Sequence, residues 1–289
     1  MVIDGRKGDV SEYRQVPRIQ ELCAKYKTDG LMILHMAGDS RNKSENDVVV
    51  DFVMDFFNPD GSGGMMCGNG GRCITAFADY LGLKPAAADG TWHFIAPDGP
   101  HEARILAGPN PWTVRLKMID VQGVTPVKNG FFLNTGTRHY VEFRDNVDGI
   151  DMEKEAKPLR WDPAFQPEGT NVNFVERTAE GLKVRTFEKG VEGETLACGT
   201  GITASAVAAS WAEIPGTSPR MTTVNTSPRM TTVNTSPRMT EAKTSPGTAE
   251  YRLQCRRGDW LSVEFKKEGP ERFTDVFLTG PAELVEILP

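Results

Sequence analysis

Along most of this chain hydrophobic and polar positions alternate. From Val48 to Phe57 the residues Val48, Val50, Phe52, Met54 and Phe56 share one side, the period-two pattern of a strand. Val114, Leu116 and Met118 alternate with Arg115 and Lys117. Runs at 131–134, 139–143, 171–176, 182–187, 251–254, 260–265, 274–279 and 283–288 predict further strands. Helical spacing is confined to three places. Pro17 suits a first helical turn, and Ile19, Leu22, Cys23 and Tyr26 follow at helical intervals. After a glycine-rich run at 61–71, Ile74, Phe77, Ala78 and Leu81 form a second stripe, which Gly82 and Pro85 end. A third helix opens near Gly199 and reads ITASAVAASWA. It has no polar face, so it should be buried all round, its small residues letting neighbours approach closely. Many strands and few helices predict an α+β protein, with each of the two later helices inside a sheet that wraps around it.

Residues 217–247 break the pattern. The nonapeptide TSPRMTTVN stands at 217–225 and again at 226–234, an altered copy TSPRMTEAK follows at 235–243, and TSPG opens a fourth. Nine residues is far below the period of common solenoid repeats, and the segment has almost no large apolar side chain. A disordered surface insertion is expected there, with a binding tail as the rival reading.

Composition narrows the class. The 289 residues are enough for two domains at roughly 150 each. Hydrophobic residues are 39% and charged residues 25%, as in an ordinary globular protein. No apolar run reaches the roughly 18 residues of a membrane helix, and MVIDGRKGDV does not have the pattern of a secretory signal. A net charge of −6 argues against a nucleic-acid partner. Five thinly spread cysteines argue against a disulfide scaffold and for a reducing cytoplasm.

Two of those cysteines stand in matching surroundings. Residues 67–70 read Cys-Gly-Asn-Gly and residues 198–201 read Cys-Gly-Thr-Gly, each opening one of the two later helices. Each follows a strand ending in a polar residue, Asn58 before Cys67 and Glu188 before Cys198. A helix N-terminus has unpaired N–H groups and partial positive charge, which lower a thiol pKa from about 8.5 and bind carboxylates. Two such thiols facing one carbon suit stereoinversion: a thiolate removes a proton from one face and a thiol returns one to the other. The weakly acidic α-hydrogen of an amino acid would also need preorganised N–H donors for the carboxylate of its carbanion. Cys23, Cys73 and Cys255 lack this context and read as core residues. No CxxC pair exists, and none of His35, His93, His101 and His139 is near a cysteine in sequence, so no metal site is expected. The glycine run matches neither GxxxxGK[ST] nor GxGxxG.

The segments FFNPDGSGGMMCGNGGRC at 56–73 and FEKGVEGETLACGTG at 187–201 resemble the two active-site motifs of the diaminopimelate epimerases. GTNVNFVE at 169–176 and TGPAEL at 279–284 resemble further family segments, and Asn69 departs from the CGHG-type motif of proline racemases. The resemblance implies two similar domains, each a curled mixed sheet around a central helix, with the active site in the cleft between them. The domains are expected at 1–123, with a strand at 281–289 returning to it, and at 124–280. It implies interconversion of LL- and meso-diaminopimelate in lysine and cell-wall precursor synthesis, with no cofactor and no metal. Cys67 and Cys198 are then the acid/base thiols, supported by His139 and Glu188. Asn58, Gly68, Asn69, Asn171, Glu188, Lys189, Gly199 and Thr200 are then the substrate contacts. The partner is a small amino acid, with no nucleic acid or membrane, and a homodimer is left open.

Five departures stand out. The family begins with a strand and a GAGNDF-like loop, whereas MVIDGR resembles the segment after them, so weak activity and self-association are expected. The family's IGADGL is YKTDGL here, around Asp29 and Gly30, and its Asn-Pro-His is Thr137-Arg138-His139. Lys189 replaces the usual Arg, and the repeats are foreign to the family. A racemase of another amino acid, or an inactive relative kept as a binding protein, therefore stays open.

Overall fold

The computed structural model describes residues 1–36, 49–63, 68–213 and 247–287. Val48, Cys67 and the repeats at 217–246 lie outside the described residues. The chain divides into two compact units, Met1–Lys117 with Thr279–Pro289, and Met118–Leu278.

The first unit opens with β1 (Val2–Asp4), α1 (Val16–Tyr26) and β2 (Leu31–His35), and β2 lies parallel to β1. Next come β3 (Phe52–Phe57), antiparallel to β2, and α2 (Gly68–Tyr80). The chain then returns in β4 (Thr91–Ala96), parallel to β3, and continues in the antiparallel strands β5 (Gly99–Ala107) and β6 (Trp112–Lys117). Ile19, Leu22 and Cys23 of α1 pack on Leu31 and Ile33, one face of β2. By alternation Met32 and Leu34 take the other face, that of α2. Trp112 Nε1 donates to Asp79 Oδ2 at 3.0 Å and ties β6 to the end of α2.

The second unit begins with β7 (Val121–Gln122), β8 (Thr125–Val127), β9 (Gly130–Asn134) and β10 (Arg138–Phe143). Then α3 (Met152–Arg160) leads to β11 (Asn171–Arg177), parallel to β10. Next are β12 (Leu182–Glu188), β13 (Gly193–Thr195) and α4 (Gly199–Ala212). The chain closes with β14 (Thr248–Gln254), β15 (Trp260–Lys267) and β16 (Arg272–Ala282). β11 and β12 are antiparallel, and β14 lies parallel to β12 across α4. From Gly201 to Trp211 every residue of α4 is buried.

The two units repeat one plan. In each, a strand crosses over through a helix to a parallel strand, a third strand runs back, and the helix opened by a Cys-Gly-x-Gly motif leads to a fourth strand parallel to the third. Phe52 of β3 pairs with Phe94 of β4 as Leu182 of β12 pairs with Leu253 of β14. Counting six residues on, Asn58 corresponds to Glu188.

Three expectations need correction. The strand expected from Val48 begins at Phe52. No strand forms at 283–287; Asn110 holds Leu284 there, accepting from its N–H at 3.0 Å and donating to its carbonyl at 3.2 Å. Val285 and Ile287 are 88% and 66% exposed, so the alternation there meets no partner strand. α3 was not expected: it is very polar, buries only Met152, Ala156 and Arg160, and contains Pro158. Among the described residues no helix is long and apolar enough to cross a membrane.

Close packing around α4 makes a direct test. Ala206 is fully buried, and a leucine there must displace neighbours, at a cost of about 1–3 kcal/mol. The same substitution at the exposed Ala24 of α1 should stay within about 0.5 kcal/mol. Urea unfolding of both variants measures the difference, and equal stability would contradict the packing described.

Candidate active site

Cys198 is the N-cap residue of α4 and is buried at 7% exposure. The first helical bond runs from the Ile202 N–H to the Cys198 carbonyl, at 2.9 Å. Helix geometry therefore leaves the N–H groups of Gly199, Thr200 and Gly201 without an intrahelical acceptor. Gly199 puts no side chain beside these N–H groups, which suits the close approach of an anion, whereas Gly201 faces the strands.

Behind the sulfur lies a chain of hydrogen bonds. Cys198 Sγ is 3.4 Å from Thr200 Oγ1, which is 3.0 Å from His139 Nε2. The other ring nitrogen, His139 Nδ1, is 2.8 Å from Asn173 Oδ1, and Asn173 Nδ2 donates to Thr186 Oγ1 at 2.8 Å. With a carbonyl oxygen against Nδ1, the ring proton sits on Nδ1 and Nε2 is an acceptor. His139 is fully buried, and burial pushes its pKa from 6.5 down to about 4, against the opposing effect of the Asn173 hydrogen bond. The imidazole is neutral at pH 7.

The strands explain this placement. Tyr140, Val172, Phe174 and Phe187 belong to the apolar cluster beneath α3. Alternation then turns His139, Asn171, Asn173 and Thr186 to the opposite face, that of α4. A Cβ on Gly201 would lie 2.5 Å from Asn173 Nδ2 and 3.2 Å from Thr186 Oγ1. Only a glycine lets the helix start settle onto this polar row. Thr135 Oγ1 donates to the Thr200 carbonyl at 2.9 Å and pins the β9–β10 turn to the same helix start.

Asn171 is nearly buried and fully engaged. Its Nδ2 donates to the Arg138 carbonyl at 2.9 Å and to Thr137 Oγ1 at 3.2 Å, and its Oδ1 accepts from the Lys189 N–H at 2.7 Å. It thus holds the turn after β12, which carries the exposed Lys189. Glu188 ends β12 and accepts from the Glu192 N–H at 2.8 Å through its carbonyl. Arg160 braces this turn through two bonds to Glu192 Oε1, at 3.2 and 2.9 Å.

The structure thus joins His139, Asn171, Lys189, Cys198 and Thr200 in one hydrogen-bonded group, with Gly199 in the same helix start and Glu188 preceding Lys189. Asn58, Gly68 and Asn69 belong to the first unit. Asn58 Nδ2 donates to Ser62 Oγ at 3.0 Å, Gly68 opens α2, and Asn69 Oδ1 accepts from Arg72 at 3.0 Å. Cys67 is outside the described residues. Thr135, Asn173 and Thr186 were missed as site residues in the sequence. The available signal was Asn-Val-Asn at 171–173, polar residues alternating within a strand apolar on its other face. Among the described residues, no group of three His, Cys, Asp or Glu side chains could hold a metal ion.

Comparison with known proteins bears on the origin of this arrangement. The diaminopimelate epimerase family model matches residues 131–233. A diaminopimelate epimerase of Flavobacterium psychrophilum is 35% identical over 271 residues, covering 92% of this chain and 86% of the relative. This chain belongs to the diaminopimelate epimerase family. Another epimerase of that name, from Chlorobaculum tepidum, is 35% identical over 216 residues, 72% of this chain and 77% of the relative. Among solved structures, a phenazine biosynthesis PhzF-family protein of Enterococcus faecalis aligns with a TM-score of 0.55 at 15% identity, over 98% of this chain and 92% of that one. A protein described as a predicted epimerase from Pseudomonas aeruginosa aligns at 0.56 with 11% identity, over 99% and 93%. These two likenesses show that the family's fold, α+β with mixed sheets, is shared at low identity.

The neutral histidine makes stability pH-dependent. Above pH 6.5 His139 is neutral in both folded and unfolded chains and contributes no slope. As pH falls from about 6.5 to about 4, the unfolded chain binds a proton that the folded ring refuses, so stability is lost across that window. The loss reaches about 3 kcal/mol. His139→Gln should flatten the stability curve between pH 6.5 and 4, measured by urea unfolding at a series of pH values. Parallel curves for the two proteins would contradict a buried neutral imidazole.

Proposed function

We propose that this family member interconverts LL- and meso-2,6-diaminopimelate by two-base proton transfer, with Cys67 and Cys198 as the acid/base thiols and no pyridoxal phosphate. It then works as a cytoplasmic isomerase of lysine and cell-wall precursor synthesis, its partner a small amino acid rather than a nucleic acid or a membrane. The observation that carries the reading is Cys198 at the N-cap of α4, its sulfur hydrogen-bonded through Thr200 to a neutral histidine.

In this reading one thiolate takes the α-proton and becomes a thiol, while the opposite thiol gives its proton to the other face and becomes a thiolate. Atoms and charge balance, and the two sulfurs end with exchanged roles. The carbanion's negative charge spreads onto the substrate carboxylate, which the N–H groups of Gly199, Thr200 and Gly201 would stabilise. Lys189, on the exposed turn held by Asn171, supplies a cation for a carboxylate. Asn58, Gly68 and Asn69 are the proposed contacts from the first unit, and Glu188 and His139 support the thiols. A second reading, a racemase of another amino acid, is favoured by Thr137, which takes the place of a substrate-binding Asn and turns its hydroxyl to His139.

The test is α-hydrogen exchange in deuterated water. Wild-type protein should exchange the α-hydrogen of diaminopimelate, and Cys198→Ala and Cys67→Ala should each lower the rate by roughly 10²–10⁴-fold. Cys255→Ala should leave it nearly unchanged. Exchange on a different amino acid alone would select the second reading, and equal losses from Cys198→Ala and Cys255→Ala would overturn both.

A further inference from the structure

The turn from β9 to β10 brings a second hydroxyl to the helix start. Thr137 Oγ1 is 3.0 Å from His139 Nε2 and 3.2 Å from Thr200 Oγ1, and it accepts from Asn171 Nδ2 at 3.2 Å. Thr200 Oγ1 is also 3.0 Å from Nε2. Two hydroxyls therefore converge on one imidazole nitrogen that needs a single donor.

A hydroxyl has one proton to give and two lone pairs. When Cys198 carries its proton, the S–H points to Thr200 Oγ1 and Thr200 gives its own proton to Nε2. When Cys198 is a thiolate, Thr200 turns its proton to the sulfur. Nε2, buried, would then lose its donor, and an unsatisfied buried acceptor is costly. Thr137 fills that place. The Asn171 amide occupies one of its lone pairs, which leaves the Thr137 proton facing the ring and Thr200.

We propose that Thr137 is a positioning residue for proton transfer at Cys198: its hydroxyl satisfies His139 whenever Thr200 turns to the thiolate, so that the sulfur gains and loses its proton without movement of any heavy atom. The inference rests on Cys198 being an acid/base thiol. Asn173 completes the device by keeping the ring proton on Nδ1. In the first unit the positions matching Asn173 and Thr186, by strand register, are Met32 and Phe56. The device therefore belongs to the second unit and gives its thiol an environment of its own.

Ionisable groups on the surrounding elements must stay constant in a test. Among the described residues they include His139 and Arg138 on β10, Glu188 and Lys189 at and just after the end of β12, and Arg257 with Asp259 in the β14–β15 turn. The Arg257 N–H holds the Leu196 carbonyl at 3.1 Å, and its guanidinium pairs with Asp259 at 2.6 Å. β9 presents Leu133 opposite His139, and β11 presents the neutral Asn171 and Asn173. Substitution of Thr137 leaves all of these in place.

The experiment follows alkylation of Cys198 by iodoacetamide against pH in substrate-free protein, read by peptide mass mapping. Thr137→Val should raise the midpoint by about one pH unit or more, since a hydrogen bond supporting a charged state is lost. Thr137→Ala should do the same should the valine variant fold poorly, and Thr137→Ser should restore the wild-type midpoint. The alkylation midpoint of Cys255 should not move in any of them. An unchanged Cys198 midpoint in the valine and alanine variants, or a serine variant shifted as far as valine, would overturn the proposal. A shifted midpoint in a protein that exchanges no amino-acid α-hydrogen would support the hydroxyl coupling and overturn the function proposed above. Exchange with an unshifted midpoint would overturn the coupling alone.

Discussion

The missing side chain at Gly201 is the constraint on which the hydrogen-bond chain behind Cys198 depends. Any Cβ there would press on Asn173 Nδ2 at 2.5 Å, lifting α4 from the sheet or displacing the amide. Either change would break the chain from Thr186 through Asn173 and His139 to Thr200 and Cys198. The glycine costs helix propensity in the first turn, a loss of roughly 1 kcal/mol relative to alanine. Burial of the rest of α4 among apolar strands offsets that cost, so a helix with a weak start is held by its body.

The repeated plan explains why one chain has two helix starts of the same form, and the differences between the halves explain why they are not equivalent. Each unit places a helix over the inner face of β-strands whose outer face is covered by another helix. In the first unit that inner row includes Met32 and Phe56, both buried. In the second it holds Asn173 and Thr186, likewise buried, and each of these meets a partner. Buried polar groups persist only when satisfied, so Asn173 and Thr186 are stable there as members of the chain that ends at the sulfur.

What the sequence disclosed follows from which patterns have a single cause. The two Cys-Gly-x-Gly motifs marked both central helices because glycines at a helix start are otherwise unfavourable, and ITASAVAASWA has no polar face to show to water. β2 escaped notice because Leu31 to Leu34 are buried on both faces, which removes the alternation that reveals a strand. β4 does alternate, and the Asp-Gly pairs at 89–90 and 98–99 that bound it are turn signals, so this strand is legible in the sequence. In the site, Cys198, His139 and Asn171 were named from their motifs. Their mutual arrangement was not visible, since it depends on β10, β11 and β12 lying side by side. Thr137 illustrates the gap: in the sequence it is an Asn lost from the family pattern, and in the fold it is a hydroxyl gained beside His139.

That difference bears on the proposal that Cys198 acts as both acid and base. A thiol paired with a charged imidazolium would be held as thiolate and would return its proton reluctantly. Burial keeps His139 neutral, so the ring stabilises neither state by charge. It offers instead one acceptor nitrogen at the end of a hydroxyl that can face either way. Hydroxyl protons reorient with little cost, whereas moving an ion pair in a buried site would require large desolvation changes. A neutral histidine behind a threonine thus adds no charge that favours either form of Cys198, which suits a residue proposed to exchange roles in every turnover.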